Sequence, residues 1–116
     1  GDDLLIGNAT SNRLKGRKGN DVLYAGEGSR NKLIGGKGRD KFLIDSDKDA
    51  FVLIKDFHRH KDRLVFDIPS ETVSLQETGK NIKIFVEDRL VAKTLNATLE
   101  YIDQSMLFTN FDTFMQ

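Results

Sequence analysis

A beat of about nine residues over the first forty-three positions constrains this chain more than any other feature. An Asp or Asn followed two positions later by a large apolar residue recurs as Asp3/Leu5, Asn12/Leu14, Asp21/Leu23, Asn31/Leu33 and Asp40/Phe42, in steps of nine, nine, ten and nine. Glycine keeps the same time. Gly7, Gly16, Gly26 and Gly35-Gly36 open units, while Gly1, Gly19, Gly28 and Gly38 fall shortly before the Asp or Asn. A nine-residue unit is too short for a helix pair. It suits a strand of about three residues and a tight, glycine-dependent turn, with two units completing one coil.

The units Gly16-Arg17-Lys18-Gly19-Asn20-Asp21-Val22-Leu23-Tyr24 and Gly35-Gly36-Lys37-Gly38-Arg39-Asp40-Lys41-Phe42-Leu43 resemble the RTX, or haemolysin-type, calcium-binding nonapeptide G-G-x-G-x-D-x-U-x. The second unit follows the pattern loosely, and the fourth carries one extra residue within Ala25 to Asn31. The resemblance implies an all-β protein, a short parallel β-roll with strands in two sheets and calcium held in the turns.

In a roll, successive turns alternate edges. One edge then carries Asp3, Asp21 and Asp40, the other Asn12 and Asn31. Coils stack roughly 4.8 Å apart. At that distance bare carboxylates repel by about 1 kcal/mol in water, and several times more in a medium of low dielectric. A calcium ion taking oxygens at about 2.3–2.6 Å spans the gap, whereas neutral amides can hydrogen-bond up a stack without one. The expectation is two calcium sites on the Asp edge, between Asp3 and Asp21 and between Asp21 and Asp40, with the Asn edge free of metal. The resemblance supplies the remaining donors as turn carbonyls: Gly1 with Gly16 and Lys18 for the first site, Arg17 and Gly19 with Gly35 and Lys37 for the second. Arg17 stands where the pattern has glycine, and a left-handed backbone there would cost about 1 kcal/mol. The alternative is a calcium-free relic of the repeat.

Alternation along each strand sorts the outward residues. The Asp units expose Leu4, Ile6, Val22, Tyr24 and Leu43, interrupted by Lys41, and this apolar face is expected to lie under the C-terminal segment. The Asn units expose Arg13, Lys15, Lys32 and Ile34. Through Leu43 there are nine bases against five acids. An acidic polysaccharide or cell-surface component is therefore a candidate partner of the basic face, against the commoner use of Lys to guard an edge strand.

After Leu43 the beat stops, and residues 44–116 are expected to cap the roll of residues 1–43 within one packed domain. The run from Phe51 to Phe66 resembles the I-x-D-F segment that closes many RTX rolls, here Ile54-Lys55-Asp56-Phe57, with Asp56 and Asp62 read as turn hydrogen-bonders. His58 and His60 lack a third ligand at a useful spacing and are read as turn residues. Strands are expected around Val73–Leu75, Ile82–Val86 and Leu90–Ala92, with turns at Thr78–Asn81 and Glu87-Asp88. A short helix is expected from Asn96 or Thr98 to Met106, with Leu99, Ile102 and Met106 on one face. Phe108, Phe111 and Phe114 follow as a docking stripe.

Composition narrows the function classes. Zero cysteines exclude disulfides, a thiol nucleophile and thiolate zinc sites. Eighteen Lys+Arg balance eighteen Asp+Glu, which gives no global reason to bind nucleic acid. No apolar run approaches the roughly 20 residues that span a bilayer. The opening Gly1-Asp2-Asp3 is neither a start methionine nor a signal peptide, and a larger parent chain upstream is expected. No nucleophile and base pair up, so the module is expected not to be an enzyme. The resemblance implies a secreted bacterial protein, exported by a type I system and folding on external calcium. Because RTX rolls usually run acidic, the neutral charge predicts fewer calcium ions than repeats and a softer calcium switch.

Overall fold

A computed structural model describes the chain apart from residues 1, 8–10, 27, 29, 47–49, 59, 60 and 116. Each repeat forms one short strand: β1 (Leu4–Ile6), β2 (Arg13–Lys15), β3 (Val22–Tyr24), β4 (Asn31–Ile34) and β5 (Lys41–Leu43). Odd strands join one sheet and even strands the other, so each pair of units closes a coil. The middle residue of each strand points between the sheets. Leu23, Leu33 and Phe42 are fully buried there, and Leu5 and Leu14, in the outermost coil, are half-buried.

The coil continues beyond the repeat. β6 (Val52–Ile54) pairs in parallel with β4, and β7 (Arg63–Phe66) with β5, although the intervening turns have lost the glycine signature. The parallel roll therefore outlasts the nine-residue beat by one coil. A meander of β8 (Val73–Thr78), β9 (Asn81–Val86) and β10 (Arg89–Thr94) follows, with β10 parallel to β6. Its two hairpin turns use Gly79, at φ 63°, and Glu87-Asp88, at φ 47° and 69°, as two-residue loops require. Helix α1 (Leu99–Ser105) starts at Thr98, whose hydroxyl accepts the Tyr101 N–H. Ile102 is buried and Met106 half-buried, but Leu99 is exposed, so the expected three-residue face is only partly used.

The chain then adds β11 (Met106–Phe108) beside β7. The finished sheets run β1-β3-β5-β7-β11 and β2-β4-β6-β10-β9-β8. Between them lies one continuous core drawn from repeats and cap alike, including Leu23, Leu33, Phe42, Ile54, Phe66, Ile84 and Ile102. The phenylalanine stripe docks through β11 and the 3-10 turn Phe111–Thr113 that follows it. Phe108 stacks on Phe66 and Phe111 tilts against Tyr24, each with centroids 5.5 Å apart, while Lys41 Nζ lies 5.9 Å from the Phe114 ring. The C-terminal segment thus covers part of the apolar outer face; Leu4 and Ile6 at its far end stay exposed.

Candidate calcium site

Asp21, Asn31, Asp40 and Asp62, at the starts of their strands, each reach back one coil. Asp3 N–H donates to Asp21 Oδ1 at 2.8 Å, Asp21 N–H to Asp40 Oδ1 at 2.9 Å, and Asp40 N–H to Asp62 Oδ1 at 2.9 Å. On the opposite edge Asn12 N–H donates to Asn31 Oδ1 at 2.9 Å. One side-chain oxygen is therefore used alike on both edges, and the difference lies in the second terminal atom.

On the Asn edge that atom is a donor. Asn12 Nδ2 gives a hydrogen bond to the Ala25 carbonyl at 3.2 Å, and Asn31 Nδ2 reaches the Gly28 and Phe51 carbonyls. The amide supplies protons to carbonyls of its own turn and of the next coil. On the Asp edge the equivalent atom is an oxygen. Asp21 Oδ2 and Asp40 Oδ2 are buried, and no donor reaches them among the described residues. The third such atom, Thr94 Oγ1, lies in β10.

The surroundings of Asp21 Oδ2 give the lack of a donor its meaning. A Cβ built on Gly16 would overlap Asp21 Oδ2 and sit 2.7 Å from the Gly35 carbonyl oxygen. A Cβ on Gly7 would likewise sit 2.7 Å from both Asn12 Nδ2 and the Ala25 carbonyl. The two cradles are equivalent, but one holds a donor facing an acceptor and the other two acceptors facing each other. A buried acceptor without a partner costs about 1–3 kcal/mol, and a cation between the two oxygens removes that cost.

Other parts of the expected site fall nearby. The turn 35–40 stacks on the turn 16–19 so closely that a Cβ on Gly36 would overlap the Arg17 carbonyl, and one on Gly38 the Gly19 carbonyl. Those two carbonyls thus lie against the turn that leads into Asp40. Arg17 adopts φ 68°, the left-handed backbone that its place in the repeat requires. Gly16 and Gly35 are buried at the mouths of their turns, and Lys18 and Lys37 are exposed. For the other expected site, Asp3 is exposed and Gly1 lies outside the described residues. Asp21 Oδ2 thus shares the Gly16 cradle with the Gly35 carbonyl of the following coil, while Asp21 Oδ1 is taken up by the Asp3 N–H.

The cap resolves the same problem without an ion. Asp62 Oδ2 accepts the His58 N–H at 2.8 Å, and Asp56 accepts the Gly35 and Gly36 N–H groups at 2.9 and 2.7 Å. The His58 ring is half-exposed, with Nδ1 3.8 Å from Asp62 Oδ2, and His60 lies outside the described residues. Burial pushes the Asp40 carboxyl up to about 6; the charges of Asp62, Asp21 and Asp56 add to this and the Asp21 N–H opposes it. Burial also raises Asp62, against the N–H bonds from His58 and Asp40. Among the described residues no three His, Cys, Asp or Glu side chains converge. A cation here would lean on main-chain carbonyls and few carboxylates, a donor set that suits calcium.

Comparison with known proteins places this geometry in a class. Residues 1–30 match the family model of the RTX calcium-binding nonapeptide repeat. The amino-terminal part of the chain is thus built of RTX nonapeptide repeats, which bind Ca²⁺, folded as a β-roll. The fold is similar to the solution structure of the AlgE6R3 subunit from the Azotobacter vinelandii mannuronan C5-epimerase, with a TM-score of 0.54 and 22% identity, covering 92% of this chain and 78% of that one. It is also similar to the extracellular lipase LipA from Serratia marcescens, with a TM-score of 0.52 and 21% identity, covering 93% of this chain and 20% of the lipase. No curated protein sequence matches the chain. No helix among the described residues is long and apolar enough to cross a membrane.

Proposed function

We propose that the chain is a non-catalytic, extracellular module whose roll closes on calcium. The observation that carries this reading is the pair of buried, donorless oxygens, Asp21 Oδ2 and Asp40 Oδ2, on the repeat edge. Asp21 and Asp40, with the Arg17, Gly19, Gly35 and Lys37 carbonyls, would hold one ion. A second, between Asp3 and Asp21 with Gly1, Gly16 and Lys18, is the weaker candidate because Asp3 is exposed. Bound calcium would supply positive charge where oxygens meet and tie successive turns together. The chain's own residues do the rest: Gly16 keeps the cradle open, the Asp3 and Asp21 N–H groups fix the Asp21 and Asp40 carboxylates, and Asp56 and Asp62 close the last coil.

With so few carboxylates the affinity is expected on the order of 10⁻⁵ to 10⁻³ M, an extracellular grade. Such a module would stay open at low calcium inside a cell and close outside it, in keeping with export by a type I system from a larger parent chain. Thermal unfolding followed by circular dichroism, with calcium and with chelator, tests the reading. A midpoint raised by calcium and untouched by the same concentration of sodium salt supports it; a midpoint indifferent to calcium overturns it.

A second reading adds an acidic polysaccharide as partner. Arg13, Lys15 and Lys32 are exposed on the even-stranded sheet, with no ion pair among the described residues. One structural neighbour is a subunit of an enzyme named for mannuronan.

A further inference from the structure

The outer face of the six-stranded sheet carries a line of cations that edge protection does not explain. Through the ladder Arg13 stands opposite Lys32, Lys32 opposite Leu53, Leu53 opposite Lys93, and Lys93 opposite Lys83. The neighbouring Leu33, Val52, Ile84 and Ala92 point into the core, which puts this row outside. At about 4.8 Å per strand the row is roughly 19 Å long. Like charges directly opposite one another destabilise a sheet, and the row contains two such pairs, Arg13/Lys32 and Lys93/Lys83. Among the described residues none of the four forms an ion pair. Guarding an open edge accounts only for Arg13, on edge strand β2; Lys32, Lys93 and Lys83 lie on the interior strands β4, β10 and β9. Half-buried Leu53 separates the two cation pairs, and half-buried Ile34 and Phe85 flank the row on the same face.

We propose that this row binds a linear acidic polysaccharide laid across the strands, with carboxylates on the two cation pairs and sugar rings over Leu53, Ile34 and Phe85. The proposal rests on the polysaccharide reading and names its site. This sheet face presents no helix or projecting ribbon to enter a nucleic-acid groove. Phe85 is the one aromatic ring in the row and its named flanks, and it offers no succession of stacking platforms for a single strand. Arg13 and Lys32 belong to the repeats, and Lys93 and Lys83 to the meander, so the row is complete only where β10 pairs with β6. Sequence alone could not join these residues, because the two halves lie some sixty positions apart and meet only through that pairing.

The test is a titration of the calcium-loaded chain with an oligogalacturonate too short to gel, alongside dextran and oligothymidylate, over a range of salt. Oligogalacturonate is expected to bind with log K falling against log salt at a slope of roughly −3, four contacts at about −0.7 each. Dextran should not bind, and oligothymidylate should bind at least about tenfold more weakly. Lys83→Gln/Lys93→Gln and Arg13→Gln/Lys32→Gln should each weaken binding about tenfold and flatten the slope by about 1.4. Lys83→Arg/Lys93→Arg, which keeps the charge, should bind normally. Binding that neither Gln pair alters overturns the row and leaves the polysaccharide reading standing. No binding by the unaltered chain overturns both. Equal affinity for oligothymidylate overturns the polysaccharide as occupant, and loss of binding in the Arg pair overturns the electrostatic account.

Discussion

The two edges of the roll solve one geometric problem with different atoms. On the Asn edge an amide nitrogen faces the carbonyl of the next coil, as Asn12 Nδ2 faces Ala25, and the turn is complete within the protein. On the Asp edge Asp21 Oδ2 faces Gly35 in the same cradle, and the turn is incomplete without a proton or a cation. A change of one terminal atom, NH₂ to O, separates a self-sufficient turn from an ion-dependent one. The cap is a third solution, since His58 N–H fills the place beside Asp62 Oδ2.

The largest effect is expected from making the Asn edge resemble the Asp edge. Asn31→Asp exchanges the donor serving Gly28 and Phe51 for an oxygen facing two carbonyls. In chelator it should lower unfolding stability by about 2–4 kcal/mol, measured by urea denaturation; calcium should restore part of the loss. An unchanged stability would mean that the amide bonds contribute nothing.

The reverse exchange is expected to be smaller. Asp21→Asn places an amide opposite the Gly35 carbonyl and should raise calcium-free stability by about 1–2 kcal/mol. A loss of stability in chelator would show that Asp21 Oδ2 has a partner from the protein.

Proton uptake gives a third contrast. The folded Asp40 pKa of about 6 lies above its ordinary value of 3.8. In chelator this group's contribution is therefore full below about pH 4 and lost as pH rises through about 6. Calcium-free protein should unfold more readily at pH 7 than at pH 5, and Asp40→Asn should remove most of that difference. A pH profile that Asp40→Asn leaves unchanged would contradict the assignment.

The smallest effect concerns the departure at Arg17. Its φ of 68° suits glycine, so Arg17→Gly should stabilise the calcium-loaded roll by up to about 1 kcal/mol. Destabilisation instead would mean that the Arg17 side chain makes a contact worth more than the backbone strain.

Much of this was legible in the sequence because the repeat writes strand, turn and edge into a fixed beat. Asp3, Asp21 and Asp40 on one edge and Asn12 and Asn31 on the other follow from counting alone. The coil of β6 and β7 was hidden because its turns are closed by Asp56 and by the His58 N–H, not by glycine and metal, so it lacks the repeat's letters. β11 was hidden because three residues after a helix carry too little pattern, and its role is set by the open edge of β7. Which oxygen faces which carbonyl is a property of stacking between coils, and no single unit encodes it.

The central claim is that the free oxygens of Asp21 and Asp40 make the roll depend on calcium. It is tested most directly by comparing the calcium-induced shift in Tm of the unaltered chain with that of Asp21→Asn/Asp40→Asn. At calcium a hundredfold above Kd, one site adds about 2.7 kcal/mol, or about 10 °C for a domain of this size. A rise of about that size in the unaltered chain and none in the double variant is the expected result; equal shifts in both would contradict the account.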